Sequence, residues 1–203
     1  MSDDQPDDDG QLREWHSRGY LPHWEAGEVP QSITFRLADS LPHSVMRRLR
    51  DEWERLPLAG RASVQARLLE AELDAAHGEA FLRDPRAALL VEAALLHFDG
   101  ERYHLHAWCV MPTHVHVLVT PKASATLSVI VHSWKSWSAL AINRALHREG
   151  RVWLTEYFDR KIRNERHFEE VRYYIEQNPV KAGLCEDAEA WQWSSASKVR
   201  RRG

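Results

Sequence analysis

The amino-acid sequence predicts an α+β domain built on one layer of antiparallel sheet. Three observations carry that expectation. Strand-like and helix-like stretches follow one another in the order β, α, ββ, α, β, α, the order of a sandwich of helices on a single sheet. Two β-rich runs flank the short turn Met111-Pro112-Thr113, which marks a hairpin. No strand–helix junction carries a Gly-rich phosphate loop, so a dinucleotide-binding fold is excluded.

The elements follow in turn. Residues 31–38 alternate, with Ile33, Phe35 and Leu37 on one side, as in a half-buried strand. Asp39-Ser40 then offers an N-cap, and Leu41, Val45, Leu49, Trp53 and Leu56 recur at helical spacing. A second helix is expected over roughly 61–76, within a stretch, 57–84, that looks like a helical insertion without chemistry. Asp84-Pro85 sets a capping side chain before a proline at the first helical position, and Asp99-Gly100 ends that helix. Tyr103 to Val110 and His114 to Val119 form the hairpin. Ser124 or Thr126 caps a long helix over about 126–148. Residues 152–163 are a further strand region. Glu165 to Gln177 is helical and is expected to end at Asn178-Pro179, because proline drives the preceding residue out of the α region.

Composition narrows the function classes. Hydrophobic residues at 43% and charged residues at 28% fit neither a disordered nor a fibrous chain. No run of about 18 apolar residues exists, so no membrane partner is expected. The first ten residues lack the basic and apolar regions of a secretory signal, and two cysteines make no disulfide framework, so a cytoplasmic home is expected. The net charge of −3 is uneven: five of the 30 acidic residues crowd into the first ten positions, leaving 25 against 27 basic ones elsewhere. The expected organisation is an acidic disordered tail at 1–12, one domain over 13–196 and a basic tail at 197–203.

Two motifs carry chemistry. His114-Val115-His116 lies on a strand, where residues two apart share a face. Their Cα atoms are then about 7 Å apart, near enough for both imidazoles to share one metal ion. Such an ion can polarise a phosphoryl oxygen. The same pattern also suits histidines that merely face solvent, and His104-Leu105-His106 repeats it on the neighbouring strand. The second motif is Tyr173-Tyr174-Ile175-Glu176-Gln177-Asn178. Tyr174 and Asn178 share one helical face, whereas Tyr173 pairs with Gln177, so helical phase selects Tyr174. A tyrosine hydroxyl is a phosphoryl nucleophile if a cation helps it ionise from its usual pKa near 10. Asn178 offers a hard carbonyl oxygen that could complete a His-His-Asn set, although a packed tyrosine and a helix-terminating asparagine give the same pattern.

Met111-Pro-Thr-His-Val-His-Val-Leu-Val119, then Tyr174-Ile-Glu-Gln-Asn-Pro-Val-Lys-Ala-Gly-Leu184 and Trp193-Ser194-Ser195, resemble the REP-associated tyrosine transposases. These belong to the single-tyrosine HUH transposase superfamily of insertion sequences. The resemblance runs from about Ile33 to Ser195. It implies a ferredoxin-like palm, with the histidine motif on a central strand and the tyrosine helix packed on it. It implies that His114, His116 and Asn178 bind Mg2+ or Mn2+, and that Tyr174 attacks single-stranded DNA to leave a 5′-phosphotyrosine and a free 3′-OH. The implied substrate is a hairpin-forming palindromic repeat, bound by a monomer or homodimer. Where Thr113 stands the family usually has Asn, so a slightly different turn geometry is expected.

Basic and aromatic residues fit the same partner. Arg160, Lys161, Arg163 and Lys181 are candidate phosphate contacts, and Trp193 a candidate for stacking on unpaired bases. Of Trp134 and Trp137 on the long helix, at least one is expected in the core. Two rival functions remain: a non-cleaving protein that binds repeat hairpins, and a zinc hydrolase using His104, His106, His114 and His116. The second is disfavoured because four histidines would close the coordination shell.

Overall fold

A computed structural model of the chain describes residues 15–17, 22–24, 27–56, 61–74 and 77–198. The expected acidic tail at 1–12 and the basic tail beyond Lys198 lie outside the described residues. A short antiparallel hairpin, β1 (Trp15–Ser17) and β2 (Pro22–Trp24), precedes the main body and was not expected from the sequence.

The main sheet comprises β3 (Gln31–Leu37), β4 (Tyr103–Val110), β5 (His114–Pro121) and β6 (Trp153–Lys161). All pairings are antiparallel and the order is β4-β5-β3-β6. The unit β3–α–β4–β5–α–β6 is therefore a split βαβ arrangement of the ferredoxin-like kind, with β5 and β3 central. Its helices are α3 (Pro85–Leu96) and α4 (Leu127–Ala145). They cover one face of the sheet, over a core that includes Ile33, Phe35, Val115, Val117, Val119 and Trp134. Phe35 lies against Trp153 edge-on at 4.9 Å and against Trp134 at 6.4 Å. Aromatic pairs of this kind are worth about 0.5–1.5 kcal/mol beyond their burial; the Trp134 pair fastens α4 to the central strand and the Trp153 pair fastens β6 to it. Trp134 is thus the core tryptophan, whereas Trp137 is exposed.

The caps explain where helices begin. The Asp84 carboxylate accepts from the Arg86 backbone N–H with Pro85 in the first turn, and the Thr126 hydroxyl, not that of Ser124, accepts from Val129. The expected Asp39-Ser40 cap is not used. Helix α1 (His43–Arg55) starts after Pro42 without a side-chain cap. Ser40 donates instead to the Leu37 carbonyl at 2.8 Å, and Asp39 accepts from the backbone N–H of Glu79 at 2.9 Å. Neither side chain is left to cap the helix, because Ser40 is spent on the Leu37 carbonyl and Asp39 on the distant Glu79 N–H.

Helix α2 (Arg61–Asp74) is the second helix expected over 61–76, and it packs on α1 through Leu41, Leu49, Leu69 and Leu73. On the other face of the sheet lies α5 (Glu165–Lys181), over Ala107, Cys109, Met111 and Leu118. This helix does not stop at Asn178. It runs through Pro179 for two further residues and ends where Gly183 adopts φ +67°. There Gly183 N–H bonds the Val180 carbonyl at 3.0 Å and Leu184 N–H bonds that of Pro179 at 2.8 Å, a Schellman termination. Pro179 is buried, and its packing offsets the one intrahelical bond that its ring removes. The extension sets Tyr174, Asn178 and Lys181 on one continuous helical surface.

Candidate active site

The pleat of β5 sorts its residues. Val115, Val117 and Val119 enter the α3/α4 core, so His114, His116 and Leu118 face α5. Neither histidine faces solvent: His114 is fully buried and His116 is 2% exposed. Their rings meet edge-on with centroids 4.7 Å apart. The Tyr174 ring stands edge-on to His116 at 6.2 Å. Helix α5 runs antiparallel to β5, since Tyr174 meets His116 while Ala182, two turns on, lines a cleft with His114. Asn178 falls between them and is fully buried. Tyr173 is 64% exposed and turned away, as helical phase requires.

Hydrogen bonds hold both imidazoles from behind. His116 Nδ1 is 2.9 Å from Thr34 Oγ1 on β3, its cross-strand partner. His114 Nδ1 is 3.1 Å from Thr113 Oγ1, and the Thr113 hydroxyl also reaches the Leu73 carbonyl at 3.2 Å. The Nε2 atoms are buried in the layer below α5. Neither amide atom of Asn178 has a hydrogen-bond partner among the described residues. A buried amide left so costs about 1–3 kcal/mol, which an oxygen-seeking ligand at Oδ1 would offset in part. A carbonyl oxygen and two imidazole nitrogens are a donor set that fits a divalent cation.

A cavity of about 350 Å³ opens beside His116 and Tyr174. Thr34, Phe158 and Arg160 form its sheet side, Arg67 and Leu69 of α2 one wall, and His167 and Glu170 of α5 another. Burial, and then the charges of Arg160 and Arg163, push the His167 imidazole below its ordinary value. Two guanidinium groups, Arg67 and Arg160, and one carboxylate, Glu170, line the mouth. Lys181 places its ammonium 3.8 Å from the centre of the Tyr174 ring.

The remaining predicted residues lie elsewhere. Lys161 follows Arg160 on β6, so it emerges on the opposite face of the sheet, exposed. Arg163 is exposed just before α5, its backbone N–H bonded to His167 Nδ1. Trp193 is half-buried at the β4 edge, where its carbonyl accepts from Val110 N–H and its ring packs on the α3/α4 core. It does not line the cavity. The four-histidine cluster does not form. His104 sits opposite Thr120, and His106 bonds the Thr120 hydroxyl, four residues and about 13 Å along the strand from His116. Among the described residues no three His, Cys, Asp or Glu side chains are placed to share a metal.

Several side chains of the site were given no role in the sequence expectation. Thr34 was legible, since the inward phase of Ile33 and Phe35 sends it to the other face. Thr113 was marked only as a departure from a family pattern. Arg67 and Leu69 had no signal, because nothing local says which surface an insertion helix meets.

Residues 91–178 match the family model described as Transposase IS200 like. A Haemophilus influenzae protein assigned as a REP-associated tyrosine transposase is 26% identical over 99 residues. That alignment spans 44% of this chain and 56% of the other. A solved structure of a REP-associated tyrosine transposase bound to a REP hairpin superposes with a TM-score of 0.52 at 16% identity. It covers 89% of this chain and 81% of that one, and it shows the fold. A crystal structure of a Deinococcus radiodurans protein assigned as a transposase gives a TM-score of 0.35 at 17% identity, covering 80% and 96%. The histidine strand falls within the matched segment and Asn178 is its last residue; in that segment and in sequence the chain is similar to IS200-like and REP-associated tyrosine transposases, and it shares the fold of the latter.

Proposed function

We propose that this chain nicks and rejoins single-stranded DNA at hairpin-forming palindromic repeats, as a metal-dependent DNA transposase with Tyr174 as nucleophile. The observation that carries the reading is the 6.2 Å edge-on approach of the Tyr174 ring to His116, in a buried layer with His114.

His114, His116 and Asn178 would hold Mg2+ or Mn2+, which when bound supplies charge to polarise the scissile phosphate. Tyr174 attacks phosphorus in line through its oxygen. The new bond is tyrosine O–P and the broken bond is P–O3′, leaving a 5′-phosphotyrosine and a 3′-OH. The phenol gives up one proton and the 3′ oxygen takes one, so the exchange is proton-neutral. The phosphoester bond number is conserved, and rejoining needs no external energy source. Arg160 and Arg67 bind the strand as it enters the cavity, and Phe158 offers an unpaired base an aromatic surface.

The test uses the purified chain, Mg2+ or Mn2+, and end-labelled single-stranded hairpins from palindromes flanking the gene. A covalent adduct that requires the metal, survives Tyr173→Phe and vanishes with Tyr174→Phe or His116→Ala is the expected outcome. Retarded hairpin without cleavage under either metal would overturn the enzymatic reading in favour of a binding protein.

A further inference from the structure

We infer that Thr113 is a positioning residue for His114, fixing which imidazole nitrogen carries the proton and tying that choice to helix α2. The argument is one of donors and acceptors. Thr113 is fully buried in the tight turn before β5, and its backbone carbonyl accepts from Leu37 N–H at 2.8 Å. Its hydroxyl lies 3.2 Å from the carbonyl of Leu73, in the last turn of α2. A carbonyl only accepts, so the single hydroxyl proton of Thr113 points at Leu73. What Oγ1 then offers His114 Nδ1, 3.1 Å away, is a lone pair. Nδ1 must therefore be the protonated nitrogen, and in the neutral ring the lone pair resides on Nε2.

The tautomer is the one that lets Nε2 ligate a cation. Metal-bound histidines depend on such a partner behind the ring. His116 has a similar contact with Thr34, but among the described residues no second partner directs the Thr34 hydroxyl. Only at Thr113 is the direction set from outside, by the helix that also contributes Arg67 and Leu69 to the cavity wall. Helix α2 thus holds the histidine as well as bordering the site. Loss of its last turn would free the hydroxyl and let the two tautomers of His114 mix.

The inference rests on the reading of His114 as a metal ligand, and the experiment separates the two. Long-range 1H–15N spectra of the metal-free protein report the tautomer of each histidine, and Mn2+ titration followed by electron paramagnetic resonance reports affinity. Wild type is expected to show His114 protonated at Nδ1. Thr113→Val keeps the shape but removes the acceptor, so proton density moves to Nε2 and Mn2+ affinity falls about 10- to 100-fold. Thr113→Ser restores both. Wild-type His114 protonated at Nε2 would overturn the proposal, whatever the folding of the variants. So would Thr113→Val with tautomer and affinity unchanged. Absence of Mn2+ binding in wild type, with the tautomer still answering to Thr113, defeats the metal reading and upholds the tautomer assignment.

Discussion

The ammonium of Lys181 lies 3.8 Å from the centre of the Tyr174 ring, two helical turns further along α5. Seven residues bring a side chain back to the same helical face, and the passage of the helix through Pro179 keeps it there. A cation so placed is worth about 0.5–2 kcal/mol to the ring. It also opposes negative charge on the tyrosine oxygen when that oxygen attacks or departs. Lys181→Gln is expected to slow single-turnover adduct formation about 2- to 10-fold, with Lys181→Arg near wild type. An unchanged rate for the glutamine variant would separate Lys181 from the chemistry.

Arg160 and Lys161 are neighbours in sequence on opposite faces of the sheet, and only Arg160 borders the cavity. Arg160→Gln should weaken single-strand binding and flatten the slope of log affinity against log salt by about 0.7, the release of one counterion. Lys161→Gln should leave that slope alone. Fluorescence anisotropy over a salt series distinguishes the two. Equal effects would place the strand on a different surface.

Lys135 carries a pH prediction. Burial lowers its ammonium from the usual 10.5 to about 8, with Glu156 opposing the shift and Arg151 adding to it. Its one strong partner is the Thr155 carbonyl at 2.7 Å. Between about pH 8 and 10.5 the unfolded chain binds more protons at this site than the folded chain, so stability rises with pH there. Below about pH 8 the buried charge destabilises the fold. Lys135→Met is expected to be more stable at pH 7 and to lose most of that gain by pH 10.5. Urea unfolding at the two pH values measures both.

Two glycines in the left-handed region differ in what surrounds them. A Cβ at Gly183 (φ +67°) meets nothing within 4 Å, so Gly183→Ala pays conformational strain alone, about 1 kcal/mol. A Cβ at Gly78 (φ +81°) would stand 2.6 Å from the backbone oxygen of Asp39. Gly78→Ala must therefore move the loop that Asp39 clamps and is expected to cost about 2–4 kcal/mol. Denaturant midpoints at equal slope give the comparison.

Elements whose signals are local were legible in the sequence. The alternation of Ile33, Phe35 and Leu37, the Asp84-Pro85 start and the turn at Met111-Pro112-Thr113 each gave an element where one is found. The shared face of His114 and His116, and of Tyr174 and Asn178, followed from the periods of strand and helix. Local signals failed where another group competed for the same residue. Asp39 and Ser40 have the chemistry of a cap but spend it on Glu79 and Leu37, and Pro179 yields to packing and to the Gly183 termination.

The sequence by itself thus determined the sheet, its helices and the histidine and tyrosine residues, because backbone periodicity and turn chemistry act over a few residues. Tertiary structure alone decided that the histidines are buried and not solvent-facing. It decided that Arg160 borders the cavity while Lys161 and Trp193 do not, and that α2 supplies both a wall and the carbonyl directing Thr113. Those outcomes depend on which surfaces meet across 40 or more residues of chain, as between Leu73 and Thr113. A sequence pattern states which face a residue occupies; packing between layers decides what that face meets.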